Sequence, residues 1–204
     1  MLALLSIFLG ISTPYYFDPR IHNLGNIGPL GRIHANIAPT FTKIIDENAY
    51  DKRDPRKEIY STFEGTVIDL CCGTGFSTCP KNVGIDTSME MIRVARKINP
   101  DRTYYVANSE FYGEYQSYDI VSCMFAFHEM PESAHIEIIN NAFKLAKKKI
   151  IIVDISTTYK PSQFMLSGEP YLLDYLETID NTLIEFNKTI YIKDHIDIWE
   201  YNFI

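Results

Sequence analysis

The sequence predicts an α/β fold, a mostly parallel sheet with helices on both faces, and three observations carry that reading. Residues 67–75, V-I-D-L-C-C-G-T-G, form an apolar run that ends in small residues and glycines. This is the pattern of a buried parallel strand breaking into a tight turn. From residue 66 onward, short β-rich runs alternate with stretches of helical periodicity, the signature of strand–helix units. Residues 83–86, V-G-I-D, end a second strand on a carboxylate. A glycine-turned loop after one strand and an acid at the tip of the next suit a nucleoside, with the acid accepting from the two ribose hydroxyls.

Taken in order, strands are expected at 66–71, 83–86, 103–107, 118–125 and 149–155. Ser88 caps a helix to about residue 98, with Met89, Ile92, Val94, Ala95 and Ile98 as its apolar side. A second amphipathic helix covers 133–146, and a third lies around 169–178. Residues 182–191 and 196–203 alternate as two strands of a terminal hairpin. Upstream, 40–50 has helical spacing, and Asp54-Pro55 opens a short helix with Asp as N-cap and Pro in the first turn. Residues 15–39 are rich in Gly, Asn, Pro and His and read as an ordered loop. Only residues 76–82 separate Gly75 from the next strand, and they include Pro80. A helical crossover needs about a dozen residues, so this connection is a single helical turn or a compact loop.

The chain has 204 residues, enough for one domain with a full core or a domain with a small cap. Its net charge of −7 disfavours nucleic acid as the main partner. The cysteines at 71, 72, 79 and 123 lack the spacing of a zinc site and read as reduced, which fits a cytoplasmic location. Residues 1–12, M-L-A-L-L-S-I-F-L-G-I-S, are almost wholly apolar but too short for a span of about 20 residues. They leave two readings open: packing on the domain, or an organellar leader or anchor through which the chain touches a membrane.

D-x-x-x-G-x-G (Asp69, Gly73, Gly75), with Asp86 closing the next strand, resembles motif I of the class I S-adenosylmethionine-dependent methyltransferases. A dinucleotide fingerprint would carry a third glycine where Thr78 stands, and Asp69 would repel a pyrophosphate, so a nicotinamide oxidoreductase is disfavoured. The resemblance covers about residues 65–155 and implies a Rossmann-like, seven-stranded sheet with an antiparallel last strand. It implies S-adenosyl-L-methionine as cofactor, no metal, and residues 65–204 as the cofactor-binding domain; residues 1–64 lie outside the resemblance and read as an apolar segment followed by a loop and helical cap. By the same resemblance Asp69 lies near the methionyl amino group, and Cys71, Gly73 and Gly75 line the methionyl and ribose portion. Asp86 takes the ribose hydroxyls, Thr87 and Met89 cover the adenine, and Asn108 with Ser109 meets its edge. F-A-F-H-E-M-P (125–131) resembles the segment beside the reactive methyl in a subset of small-molecule enzymes. It makes His128 the candidate base, with Glu129 beside it and Asp154 at the end of the fifth strand. Tyr50 and Arg53 are candidates for the cofactor carboxylate, and Tyr171 and Tyr175 for a lid. The implied activity is methyl transfer to a small-molecule oxygen, nitrogen or carbon. The alternatives are a cofactor-binding relative without catalysis and a protein or RNA methyltransferase; the N-P-P-Y type motif of base methylation is missing after the fourth strand.

Overall fold

The computed structural model describes residues 21–204, so the apolar segment 1–12 lies outside the described residues. Seven strands form one sheet in the order β3-β2-β1-β4-β5-β7-β6. They are β1 (Val67–Leu70), β2 (Val83–Asp86), β3 (Thr103–Val106), β4 (Tyr118–Met124), β5 (Ala146–Ile155), β6 (Asn187–Ile192) and β7 (Ile196–Asn202). The first five run parallel, and β7 pairs antiparallel with both β5 and β6. The helices are α1 (Gly28–Ala49), α2 (Pro55–Tyr60), α3 (Met89–Ile98), α4 (Glu132–Leu145), α5 (Gln163–Gly168) and α6 (Leu172–Thr182). Among the described residues no helix is long and apolar enough to cross a membrane.

The central strands are buried on both sides, and their residues divide by the period of two. Ile68, Leu70, Val121, Cys123, Ile150 and Ile152 face one core with Ile138, Ala142 and Leu145 of α4 and Tyr175 and Ile179 of α6. Val67, Ile120, Met124, Ile151, Val153, Ile196 and Ile198 face the other, closed by Ile59 of α2 with Tyr50 and Phe63 beside it. Asp54 caps α2 by accepting from the Lys57 amide at 3.0 Å, and Ser88 caps α3 through the Met91 amide at 3.2 Å.

Three expectations are corrected. Residues 28–39 are not loop but the first half of a continuous α1, with Pro39 inside it. Gly31 serves close packing there, since a Cβ on it would lie 2.5 Å from the Asn26 carbonyl carbon, and Ala35 packs on Met91 and Val94 of α3. On α3 the buried methionine is Met91, while Met89 and Ile98 are exposed. The third predicted helix runs to Thr182, so β6 starts only at Asn187. The connection after Gly75 is a compact loop without a helix. All four cysteines are free thiols.

Candidate active site

In open α/β sheets ligands bind outside the carboxyl ends of the strands, where the strand order reverses. Here that point lies between β1 and β4, neighbours in the sheet whose connections leave in opposite directions. Both strands end in strained backbone. Cys71, directly after β1, has φ 57°, and Phe125, directly after β4, has φ 56°. Left-handed non-glycine residues cluster at functional sites.

The first half of the site is the loop after β1. Asp86 at the tip of β2 accepts from the Gly73 amide at 2.9 Å through Oδ2 and from the Ser88 amide at 2.8 Å through Oδ1. Each carboxylate oxygen has a second lone pair, so Asp86 retains capacity for two hydroxyls. Burial pushes its pKa up to about 6, against the pull of those two amides. Gly73 has φ 53°, and no atom lies within 4 Å of a Cβ built on it, so the loop presents bare backbone to open space beside Asp86. That is the surface a nucleoside with a ribose diol and a methionyl tail would use. Thr87 is half-buried and Met89 exposed at the start of α3, next to the Asp86 carboxylate.

Gly75 differs from Gly73. A Cβ on Gly75 would collide with the Tyr104 ring. Its carbonyl accepts from Arg102 at 2.8 Å and Asn99 at 3.2 Å. The strand order thus turns Gly75 toward β3, not toward the open space. Asp69 is fully buried, and its oxygens are occupied. Ser77 and Thr78 each donate to Oδ2 at 2.7 Å, and Ser122 of β4 donates to Oδ1 at 3.3 Å. Burial raises its pKa to about 6, with the three hydroxyls pulling the other way. The acid expected near the methionyl amino group instead pins the compact loop to the sheet. Ser109 is likewise behind the loop, with its Oγ accepting from the Cys71 amide at 3.2 Å. Asn108 turns its side-chain oxygen back to the Glu110 amide at 2.8 Å. The buried Asn141 side chain donates to the Ser109 carbonyl at 2.8 Å, holding this segment against α4.

The second half lies after β4 and β5. His128 and Asp154, named separately from the sequence, form one buried pair with Nδ1 donating to Oδ1 at 2.6 Å. The other Asp154 oxygen accepts from the Phe127 amide at 2.8 Å. Burial alone would depress the imidazole, but Asp154 outweighs it and raises the pKa to about 9. At neutral pH His128 is therefore a cation that offers a proton, not the free base expected of it. Tyr175 is not a lid residue: it is buried, lies edge-on to His128, and donates to the Ile155 carbonyl at 2.6 Å. Arg53 is engaged by Glu58 at 2.6 Å and Tyr191 at 3.0 Å. Arg56 lies 4.1 Å above the Phe125 ring and pairs with Asp46 at 3.1 Å. Tyr50 packs in the second core and meets His195 edge-on.

The group that closes this half comes from the His- and Gly-rich stretch 15–39, where the sequence shows the histidines but not their partners. His22, in a turn of three residues (Ile21–Asn23), donates from Nε2 to Glu129 at 2.8 Å and sits with Nδ1 2.9 Å from Glu169. Both ring nitrogens face acceptor-only groups, so the ring is an imidazolium. Burial opposes that charge, but Glu129 and Glu169 raise the pKa to about 11. Glu129 is held down to about 2, burial notwithstanding, chiefly by His22. His34 tilts over the His22 ring at 4.7 Å and donates to the Gly25 carbonyl at 2.9 Å. Nothing in the local sequence pairs residues 107 positions apart. Among the described residues no group of three His, Cys, Asp or Glu side chains could hold a metal ion.

Comparison with known proteins agrees with this geometry. Residues 67–149 match the family model of a methyltransferase domain. A stretch of 103 residues is 31% identical to trans-aconitate 2-methyltransferase of Afipia carboxidovorans, covering 47% of this chain and 40% of that protein. The match thus spans less than half the length of that curated relative. An S-adenosylmethionine-dependent methyltransferase of Aquifex aeolicus superposes with a TM-score of 0.58 at 15% identity, over 81% of this chain and 98% of that one. Another from Thermotoga maritima gives 0.56 at 16%, over 82% and 96%. These structures share the fold, including the Rossmann-like sheet that the motifs implied. Over residues 67–149 the chain is thus similar to the methyltransferase-domain family, and its strand order is that of the Rossmann-like sheet implied by the motifs.

Proposed function

We propose that this chain transfers a methyl group from S-adenosylmethionine to a small-molecule acceptor. The observation that carries the reading is the Asp86–Gly73 pairing: a carboxylate with spare acceptor capacity beside bare glycine backbone that opens onto free space. When bound, the cofactor supplies a methyl group on a sulfonium, whose sulfur keeps the bonding pair as a nucleophile takes the carbon. Asp86 is assigned to the ribose hydroxyls, Gly73 and Cys71 to the loop beneath the ligand, and Thr87 and Met89 to the adenine side. Asp69, Gly75 and Ser109 act as positioning residues through the loop. His128, held by Asp154, supplies a fixed positive N–H beside the acceptor side, so alignment and exclusion of water, not proton removal by His128, are its contribution at neutral pH.

Small-molecule chemistry is supported by the acidic chain and by the partial match to a methyltransferase named for trans-aconitate. Calorimetric titration with S-adenosylhomocysteine tests the cofactor site. Micromolar binding that weakens at least tenfold in Asp86→Ala, about 1.4 kcal/mol, is expected. A wild type that fails to bind would remove the proposal. One observation favours a second reading, cofactor binding without turnover: His22 closes the site with two ion pairs. Slow methylation of any acceptor in a broad panel would dismiss it.

A further inference from the structure

The acceptor half of the site carries more buried negative charge than its own machinery uses. Glu129 follows β4 and Glu169 follows β5 through α5, so both stand over the carboxyl ends of parallel strands, where ligands are held. Glu169 is 6% exposed and Glu129 has a side chain 23% exposed. Glu129 is the residue after His128, and its charge is felt both by that imidazole and by Asp86 on the cofactor side. Among the described residues the ion pairs of both glutamates are with His22 alone. Yet Glu169 Oε2 is buried without a hydrogen-bond partner. A buried carboxylate oxygen without a partner forgoes the hydrogen bonds it had in water, and such a group in a native site calls for a missing donor.

His22 itself is a poor permanent occupant. It has φ 48°, and Asn23 after it has φ 58°, so two consecutive non-glycine residues are left-handed to present the ring. Its side chain is 39% exposed, and its segment is a three-residue turn. A flat monocation with two N–H donors is thus held by strained backbone between two acids that have one acceptor to spare.

We infer that Glu129 and Glu169 form a subsite for a cationic nitrogen of the acceptor, an ammonium or imidazolium group, and that His22 fills it from within the chain until such a group displaces it. The inference rests on the methyltransferase reading for what the subsite serves, and it names the acceptor class. The three donors of an ammonium would satisfy Glu169 Oε2 as well as the two oxygens that His22 now meets, and an imidazolium guest would match His22 donor for donor. His34 above the ring is kept neutral, burial lowering its pKa, so it adds no competing charge. His128, already neutralised by Asp154, does not repel the guest.

The test is calorimetry on the full chain with n-butylamine and with imidazole, at a pH where both are cations, and with butyrate as the reversed charge. Each titration is run with and without saturating S-adenosylhomocysteine, so failure to bind that nucleoside and failure to bind a cation are read separately. Both cations should bind at least tenfold more tightly than butyrate, a difference of about 1.4 kcal/mol. Glu169→Gln should weaken them at least tenfold while leaving S-adenosylhomocysteine binding unchanged, which also shows that the variant is folded. His22→Ala should tighten butylamine, because the internal competitor is gone. Butyrate binding as well as the amines, no cation binding, or cation affinity indifferent to Glu169→Gln would each overturn the inference.

Discussion

The two halves of the site are built on opposite principles. The loop after β1 is internally saturated: Asp69, Ser77, Thr78 and Ser122 satisfy one another, and Gly75 is wedged against Tyr104. The half after β4 and β5 is held by charge across long sequence distances, with one glutamate oxygen left over. Rigidity on the cofactor side and reserve capacity on the acceptor side fit a donor of fixed shape and a guest that must enter and leave. Local hydrogen bonding gives the first; ion pairs that a competitor can exchange give the second.

The sharpest way to break the comparison is Asp69→Ala. It removes the acceptor of three buried hydroxyls; Ser122 keeps the Ile68 carbonyl at 3.5 Å, and the two left stranded, Ser77 and Thr78, cost about 1–3 kcal/mol each. Thermal unfolding should drop by roughly 5–15 °C, at about 2–4 °C per kcal/mol for a chain this size. An unchanged midpoint would mean that the loop does not depend on its anchor. Next come the glycines. Gly75→Ala adds a left-handed alanine and a ring collision, expected to cost about 2 kcal/mol of stability in a urea titration. Gly73→Ala should cost about half that yet weaken S-adenosylhomocysteine at least tenfold, because its Cβ enters the open space. If the two variants exchanged these phenotypes, the assignment of one glycine to the ligand and one to the core would be wrong.

The pH dependences sharpen the contrast further. Asp86 must be ionised to accept two hydroxyls, and its pKa is about 6. Affinity for S-adenosylhomocysteine should therefore fall about tenfold from pH 7 to pH 5, whereas a flat profile would detach Asp86 from the ribose. The smallest effect concerns the His22 clasp. His22 is raised from 6.5 to about 11, so its contribution is complete below pH 6.5 and fades as pH climbs toward 11. Glu129 is lowered from 4.5 to about 2, so its contribution is complete above pH 4.5 and fades below it. The stability gap between the wild type and His22→Ala should be widest between about pH 4.5 and 6.5 and shrink on both sides. A gap that does not vary with pH would mean that His22 contributes packing and not charge.

The cofactor half was legible because its signals are local. V-G-I-D is β2 to the residue, and the shortness of 76–82 correctly allowed for a loop. The role of Asp69 was not legible, since the motif gives its position on the strand but not that Ser77 and Thr78 fold back onto it. Residues 28–39 were misread because Gly31 and Pro39 have local propensities that oppose a helix, and the packing of Ala35 against α3 overrides them. His22 and Glu169 left no trace in any window, because their partnership exists only once the N-terminal turn meets the far side of the sheet.

The absent helix between β1 and β2 has a consequence for how the chain folds. Its share of the second core is taken by α2, which precedes the sheet and packs with Ile196 and Ile198 of the last strand. Glu58 on α2 accepts from Tyr191, 133 positions away. During synthesis the piece that seals this face is therefore made early and must wait for the final hairpin to emerge. Loop closures of that length slow folding and prolong exposure of unpaired strand edges. The second core therefore stays incomplete until β7 has docked on β5, long after α2 has left the ribosome.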